Sequence, residues 1–272
     1  MPVIGPEQPV TIEGVTRLPP EWGIYQDLIE GIPEDIGVRA ACVGPHWTYV
    51  DAECGLGIAL TCPGGTGPET AADPSRLSLK ELACQAVSWN FIAASVGVAA
   101  MNAWYSSPAV AKKNGMVIER KASNDGFDFY HQACTGKKVT VVGHFPMIER
   151  LSDVCELTVL ERDPHGSDVP DPACEYLVPH QDVLFMTGVT LTNKTMPRLL
   201  QLSQKCNTIM VGPSVVPAPV LFDYGVDCLA GSVVTDPERA RASIVAGDGS
   251  SGAGIFKCGV QKMRLERPGW AL

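Results

Sequence analysis

Short apolar, β-branched runs recur through the second half of the chain, and each is followed by glycine or by small polar residues. The first run covers residues 139–142 and ends at Gly143. A continuous apolar run of this length is typical of a strand that is buried on both faces, as in a parallel sheet. A second run at residues 157–160 ends at Glu161, 18 residues after Gly143. This spacing predicts a β-α-β unit with a helix that begins at Pro146.

Three further strands are predicted in the second half, at residues 182–186, 208–211 and 226–230, with helical segments between them and a small polar loop at residues 187–193 before one of these helices. Strands alternating with helices indicate a doubly wound parallel sheet, in which the ligand crevice lies beyond the carboxyl ends of the strands. The residues that follow these strands are therefore expected to share one rim. They are His144, Glu161, Thr187, Asn193, Ser214 and Ser232.

The first half of the chain has a different pattern. A helix is predicted to begin at residues 19–21 and to end at Gly31, because its apolar residues recur at helical spacing. Three strands follow, at residues 38–43, 47–52 and 57–62. Their connections are too short for parallel crossovers, so they predict an antiparallel meander.

The stretch between this meander and the second half contains a loop and an apolar helical region. Residues 61–77 are rich in Gly and Pro, which indicates either a lid or ligand-binding loop or an ordinary solvated loop. Residues 82–111 carry no charge, but polar residues are spread over every face, which favours a buried helix pair over a membrane span. Asn102 lies near the end of this region, where its amide either caps the helix or faces a ligand.

The pattern breaks at residues 106–125, where Pro, Gly and mixed charges mark a domain boundary. The predicted fold class is α/β. An N-terminal α+β domain over residues 1–110, with antiparallel strands and helices, precedes a doubly wound parallel sheet over residues 111–272.

Composition narrows the possible partners. The 272 residues carry a formal net charge of −9, and no run of Lys or Arg is longer than two, which argues against nucleic acid as a partner. The first residues lack a signal-peptide pattern, so we expect a cytoplasmic protein without a membrane partner. Ten cysteines occur without a C-x-x-C pair, which is typical of reduced, buried thiols and predicts no zinc or iron–sulfur site from local spacing.

The turn after the first strand of the sheet lacks the full dinucleotide fingerprint. Gly143 is present, but Phe145 and Ile148 occupy the places of the second and third glycines. Those glycines allow the backbone to approach pyrophosphate and the helix to pack on the strand. Glu161 remains a candidate for binding ribose hydroxyls, or it simply ends its strand.

Five motifs together resemble a known family: GVAAMNA (97–103), VVGHFP (141–146), VLERDP (159–164), TGVTLTN (187–193) and VGPSVVP (211–217). As a set they resemble the putative heavy-metal chelation family. The resemblance implies a domain similar to the enolase N-terminal fold joined to a Rossmann-like domain, with a ligand site in the cleft between them. The site residues that it implies are Asn102, Gly143, His144, Phe145, Pro146, Glu161, Thr187, Asn193, Pro213 and Ser214.

Three functions follow as hypotheses. The first is binding of a transition metal or a metal-containing small molecule, with His144 as a metal ligand and with Glu161 and Cys62 converging on it, a donor set that favours Zn, Cu or Ni. The second is an enzyme that uses a nucleoside, dinucleotide or S-adenosylmethionine-type cofactor bound through Glu161. The third is a non-catalytic protein that binds a small metabolite. No nucleophile–base set is evident, so neither a reaction nor an organic cofactor is assigned.

Overall fold

The chain forms two β-sheets. The structure is a computed structural model, and it describes residues 22–67, 74–118, 126–146, 148–249 and 254–272. The helix start predicted at residues 19–21 and the predicted helical position of Met147 lie outside these residues. The strands are β1 (Val38–Val43), β2 (Trp47–Ala52), β3 (Gly55–Leu60), β4 (Val117–Ile118), β5 (Lys138–Val142), β6 (Glu156–Glu161), β7 (Val169–Pro170), β8 (Val183–Thr187), β9 (Asn207–Val211), β10 (Cys228–Val234) and β11 (Val260–Glu266). The α-helices are α1 (Gly23–Glu30), α2 (Leu79–Ala83), α3 (Phe91–Tyr105), α4 (Pro108–Lys113), α5 (Gly126–Tyr130), α6 (Cys174–Leu177), α7 (Val189–Thr192), α8 (Met196–Leu202) and α9 (Pro237–Ala246).

The N-terminal sheet is the predicted antiparallel meander, in the order β1-β2-β3. Helix α3 packs closely against β3, where a Cβ added at Gly57 would lie 2.0 Å from the backbone nitrogen of Ala103. Ser78 and Glu81 form a capping box at the start of α2. Among the described helices none is both long and apolar enough to cross a membrane.

The second sheet has eight strands in the order β4-β11-β10-β9-β8-β5-β6-β7, and the strands from β10 to β7 are parallel. The predicted parallel sheet is therefore confirmed, with an antiparallel edge formed by β11 and β4. Strands β6-β5-β8-β9-β10 follow the doubly wound order 2-1-3-4-5. In that order the topological switch point, where ligands bind, lies between β5 and β8.

Alternate residues of the central strands face opposite cores. In β8, Val183 and Phe185 face a core that contains Ile148, whereas Leu184 and Met186 face the other side. The core on the Leu184 side of the sheet is continuous with the core of the N-terminal unit, which includes Met101 of α3. The N-terminal unit therefore covers one face of the large sheet. Successive side chains of a strand point to opposite faces, so a strand that is buried throughout needs a core on each side.

Three details differ from the predictions. The α-helix expected after β5 is a 3-10 helix, Ile148–Asp153, because residues 143–146 form a loop that is bonded to the neighbouring strand. The polar loop expected at residues 187–193 contains α7. Strand β10 runs to Val234, four residues past the predicted end, because β11 pairs with it along its whole length.

Candidate functional site

A cavity of about 600 Å³ opens at the switch point, beyond the carboxyl ends of β5, β8 and β9. Its size falls in the range of small-molecule sites, which is about 300–1,000 Å³. Most of its wall comes from the loops after these strands and from the end of β6. The lining includes residues 142–146, 160–162, 193–195 and 212–214, together with Trp47 and Leu60 of the N-terminal sheet. Both halves of the chain therefore contribute to the cavity.

The loop after β5 is held by a carboxylate. Gly143 has φ +102°, which turns the chain out of the strand in a conformation that suits glycine. The backbone N–H of His144 then donates to Glu161 Oε2 at 2.8 Å, and the N–H of Arg162 donates to Glu161 Oε1 at 2.6 Å. Both oxygens of Glu161 thus accept backbone hydrogen bonds that fix the shape of the loop.

The imidazole of His144 is oriented by a buried acid. Its Nδ1 lies 3.0 Å from Oδ2 of Asp168, whose side chain is only 3% exposed. Its Nε2 lies 3.6 Å from Oε1 of Glu149, which is well exposed. A histidine whose Nδ1 faces a carboxylate keeps its ring in one orientation and leaves Nε2 for a ligand.

An aromatic cluster supports the same loop from below. The ring of Phe145 lies 5.0 Å from that of Phe127, edge to face, and Phe127 lies 5.0 Å from Phe185 of β8. Gly212, at φ +105°, follows β9, and a Cβ added there would contact the Phe145 ring at 3.5 Å. Phe145, which lines the cavity, is therefore held by packed aromatic side chains behind it.

Ser214 joins the two halves of the chain. Its hydroxyl accepts a hydrogen bond of 2.9 Å from the backbone N–H of Leu60, at the end of β3. The backbone around Ser214 also lies so close to Gly188 that a Cβ added at Gly188 would be 2.4 Å from the nitrogen of Val215. Ser232 donates to the carbonyl of Pro213 at 3.1 Å and so supports this loop from behind.

The segment after α7 has an unusual backbone. Oδ1 of Asn193 accepts hydrogen bonds from the backbone N–H of Thr195 at 3.2 Å and from its hydroxyl at 2.7 Å. Between them, Lys194 has φ +71°, which makes it the one non-glycine residue with positive φ in the described part of the chain. Left-handed backbone in a residue with a Cβ is strained, and such strain is concentrated at functional sites.

The side chain of Lys194 is buried at the wall of the cavity. The residue is 8% exposed, and its Nζ donates to the carbonyl of Thr192 at 2.7 Å. Nζ also lies 5.7 Å from the centre of the Tyr25 ring and 5.9 Å from that of Phe91. Burial lowers the pKa of Lys194 to about 7, and the nearby Cys62 opposes this only in part.

Two exposed ion pairs stand at the mouth of the cavity. Arg162 Nε lies 3.2 Å from Asp171 Oδ2, and Arg198 Nη2 lies 2.5 Å from Glu175 Oε2. Pairs this exposed contribute little to stability. They place two guanidinium groups beside the opening, where they can meet an anionic ligand.

The structure brings together nine of the ten residues that the resemblance implies. These are Gly143, His144, Phe145, Pro146, Glu161, Thr187, Asn193, Pro213 and Ser214. Asn102 does not line the cavity, because it is buried in α3 and its Nδ2 donates to the carbonyl of Ile58 at 2.8 Å. Cys62 is not on the wall either. Within the described residues, His, Cys, Asp and Glu side chains form no cluster of three or more suited to a metal ion.

Sequence reasoning missed Asp168 and Lys194. Asp168 lies in a loop of turn-forming residues, 24 positions from the histidine that it contacts, and nothing local connects the two. Lys194 directly follows the TGVTLTN motif and precedes Thr195. Its position after that motif is the only sequence signal that could have identified it.

Comparisons with known proteins agree with this architecture. Two family models match the chain, DUF4213 over residues 25–105 and DUF364 over residues 125–261, and both are described as putative heavy-metal chelation. An uncharacterized protein of Methanocaldococcus jannaschii is 27% identical over 197 residues, which is 70% of this chain and 72% of that protein.

Two crystal structures have the same fold. A DUF364-family protein of unknown function from Desulfitobacterium hafniense superposes with a TM-score of 0.80 at 34% identity, over 91% of this chain and 99% of that chain. A DUF364-family protein of unknown function from Pyrococcus horikoshii superposes with a TM-score of 0.73 at 22% identity, with the same coverage.

Proposed function

Since the chain belongs to the DUF364 family, whose description is putative heavy-metal chelation, we propose that its cavity binds a small chelating molecule together with a transition-metal ion. The observation that carries this proposal is the position of His144, a side chain oriented by a carboxylate on the wall of a cavity of about 600 Å³. The volume fits an organic molecule, and the imidazole fits a metal.

The arrangement around His144 supports a metal contact. Metal-bound histidines generally donate their second ring N–H to a carboxylate or carbonyl, as His144 can do to Asp168. Nε2 is then the atom available for coordination, with Glu149 as a nearby second donor at 3.6 Å. Imidazole nitrogen favours Zn, Cu and Ni over Mg and Ca.

The other donors of the cleft fit an organic partner better than a bare ion. Both carboxylate oxygens of Glu161 already accept hydrogen bonds from backbone N–H groups, those of His144 and Arg162. The protein's own side chains around His144 supply one or two coordination positions, so the remaining ligands come from the chelator. Asn193 and the two arginines at the mouth, Arg162 and Arg198, suit the carboxylates that such chelators carry.

Calorimetric titration with three probes tests the proposal: Ni²⁺ alone, nitrilotriacetate alone and the 1:1 Ni²⁺–nitrilotriacetate complex, which leaves two coordination positions open. The complex should bind once per chain, and more tightly than either component. His144→Ala should weaken that binding tenfold or more. His131→Ala is the matched control, because His131 is not on the cavity wall and its Nε2 contacts the carbonyl of Arg150. Equal binding by wild type and His144→Ala would refute the proposal.

The remaining outcomes separate this function from its competitors. Tight binding of Ni²⁺ without chelator, at one ion per chain, would indicate a complete protein-made site and overturn the proposal. Binding of nitrilotriacetate with no gain from Ni²⁺ would indicate a site for a metal-free metabolite, which also overturns it.

A further inference from the structure

Lys194 is the one lysine on the wall of the cavity, and its surroundings differ from those of an ordinary lysine. Its amine lies near two aromatic rings, Tyr25 of α1 and Phe91 of α3. Its hydrogen-bond acceptor is the backbone carbonyl of Thr192. In the described part of the chain no carboxylate pairs with it.

The titratable side chains facing this amine in the described structure are Tyr25 and Cys62. The hydroxyl of Tyr25 donates to the carbonyl of Leu191 at 2.6 Å, and burial raises its pKa. Burial also raises the pKa of the Cys62 thiol. Both groups are therefore neutral at pH 7, and neither supplies the negative charge that would hold a buried ammonium.

We propose that Lys194 is a nucleophilic amine that captures an aldehyde or ketone ligand of the cavity as an imine. The inference depends on the cavity and not on the metal-chelate proposal. A lysine activated by burial in an apolar pocket is one of the established ways in which proteins form Schiff bases.

The chemistry balances without any further reactant. The lone pair of Nζ attacks the carbonyl carbon, and the carbonyl oxygen takes up the proton that the amine releases, giving a carbinolamine. The second N–H proton then leaves with the hydroxyl group as water. One C=N bond replaces one C=O bond, and no atom is oxidised or reduced. The hydrogen bond to Thr192 accounts for one N–H of the amine and leaves the lone pair available.

The backbone conformation of Lys194 positions its side-chain amine. The bonds from Thr195 to Asn193 Oδ1 close a turn around Lys194 and hold it in the left-handed conformation. Asn tolerates that conformation better than most residues. Lys194→Asn therefore removes the amine while favouring the same backbone.

Reductive trapping tests the proposal. The protein is incubated at pH 7 with glyoxylate and sodium cyanoborohydride, and carboxymethyl adducts are located by peptide mass spectrometry over time. With a pKa of about 7, roughly half of Lys194 is uncharged, against about 1 in 2,500 of a lysine with the ordinary pKa of about 10.4. Lys194 should therefore be modified at least tenfold faster than the exposed Lys205.

Two variants complete the experiment. Lys194→Asn should lose the fast adduct and keep a cooperative thermal transition, whereas Lys205→Met should keep the fast adduct. Trapping of Lys194 at the same rate as Lys205, or more slowly, would overturn the proposal. A fast adduct that persists in Lys194→Asn would assign the reactive amine to another residue and also overturn it. Because no metal is added, neither outcome depends on the titrations with His144→Ala.

Discussion

Oδ2 of Asp168 lies 3.0 Å from Nδ1 of His144, although 24 residues of chain separate the two side chains. The carboxylate is buried and the imidazole is partly exposed. Asp168 also accepts a hydrogen bond from the backbone N–H of His165, which fixes its own loop. The histidine at the cavity is therefore held by the loop after β6, not by the strand that it follows.

Replacing Asp168 with Ala should weaken binding of the Ni²⁺–nitrilotriacetate complex by about 10–100-fold, because the imidazole loses the partner that orients it. Isothermal titration at constant pH measures the change. Asp153→Ala is the control, since Asp153 is exposed and does not line the cavity. If Asp168→Ala binds the complex as wild type does, the carboxylate has no role in orienting His144 toward a metal.

The sequence predicts a residue of this site when a local pattern places it, and misses it when only a contact between distant segments gives it a role. His144 and Glu161 are found because each lies at the carboxyl end of a predicted strand, and parallel strands bring their carboxyl ends to one edge. The ribose-binding role considered for Glu161 remains a prediction, and the structure shows its oxygens bonded to backbone amides. Asp168 and Lys194 are missed because their roles arise from contacts made only in the folded chain.

The strands of the second sheet also include some that the sequence predicts and some that it does not. The parallel strands β5, β8, β9 and β10 are predictable from their apolar runs, since most of their residues are buried. Strand β6 is predicted by its apolar run as well, although it is only partly buried. Strands β4, β7 and β11 are not predicted, because β4 and β7 have only two residues each and the buried residues of β11, Val260, Met263 and Leu265, are not in strict alternation. The domain boundary near residue 110, and the enolase-like and Rossmann-like labels, stay predictions. The boundary position lies within α4.

Ser214→Ala should destabilise the protein by about 1–3 kcal/mol, because the partly buried N–H of Leu60 loses its acceptor. The free energy of unfolding in urea measures the cost. Ser152→Ala serves as the control, since its hydroxyl donates to the carbonyl of Glu149 on an exposed surface and its loss should change stability little. Equal stability of the two variants would mean that the hydrogen bond between Ser214 and Leu60 does not stabilise the contact between the two halves of the chain.

Gly188→Ala should destabilise the fold by about 1–3 kcal/mol and weaken ligand binding, since its Cβ would lie 2.4 Å from the nitrogen of Val215 and so would displace Ser214, which lines the cavity. Thermal unfolding monitors the first effect, and titration with the Ni²⁺ complex the second. Gly55→Ala is matched in chemistry, but its Cβ would meet its neighbours at ordinary distances of 3.4 Å or more. A Gly188→Ala protein as stable as Gly55→Ala would show that the close approach can relax at no cost.

Lys194→Met should change how stability depends on pH. The folded protein binds fewer protons than the unfolded chain between pH 7, near the pKa of buried Lys194, and about pH 10.4, the ordinary lysine value. The free energy of unfolding of wild type, minus that of the variant, should therefore rise with pH in this window by up to about 1.4 kcal/mol per unit. Below pH 7 the difference should be constant, because Lys194 is then protonated in both states. Urea titrations at pH 6, 7, 8 and 9 measure the slope, and Lys205→Met, which removes an exposed amine, should show none. A flat difference for Lys194→Met across pH 7–9 would mean that the amine stays charged in the folded protein, and the nucleophile assigned to this cavity would lose its chemical basis.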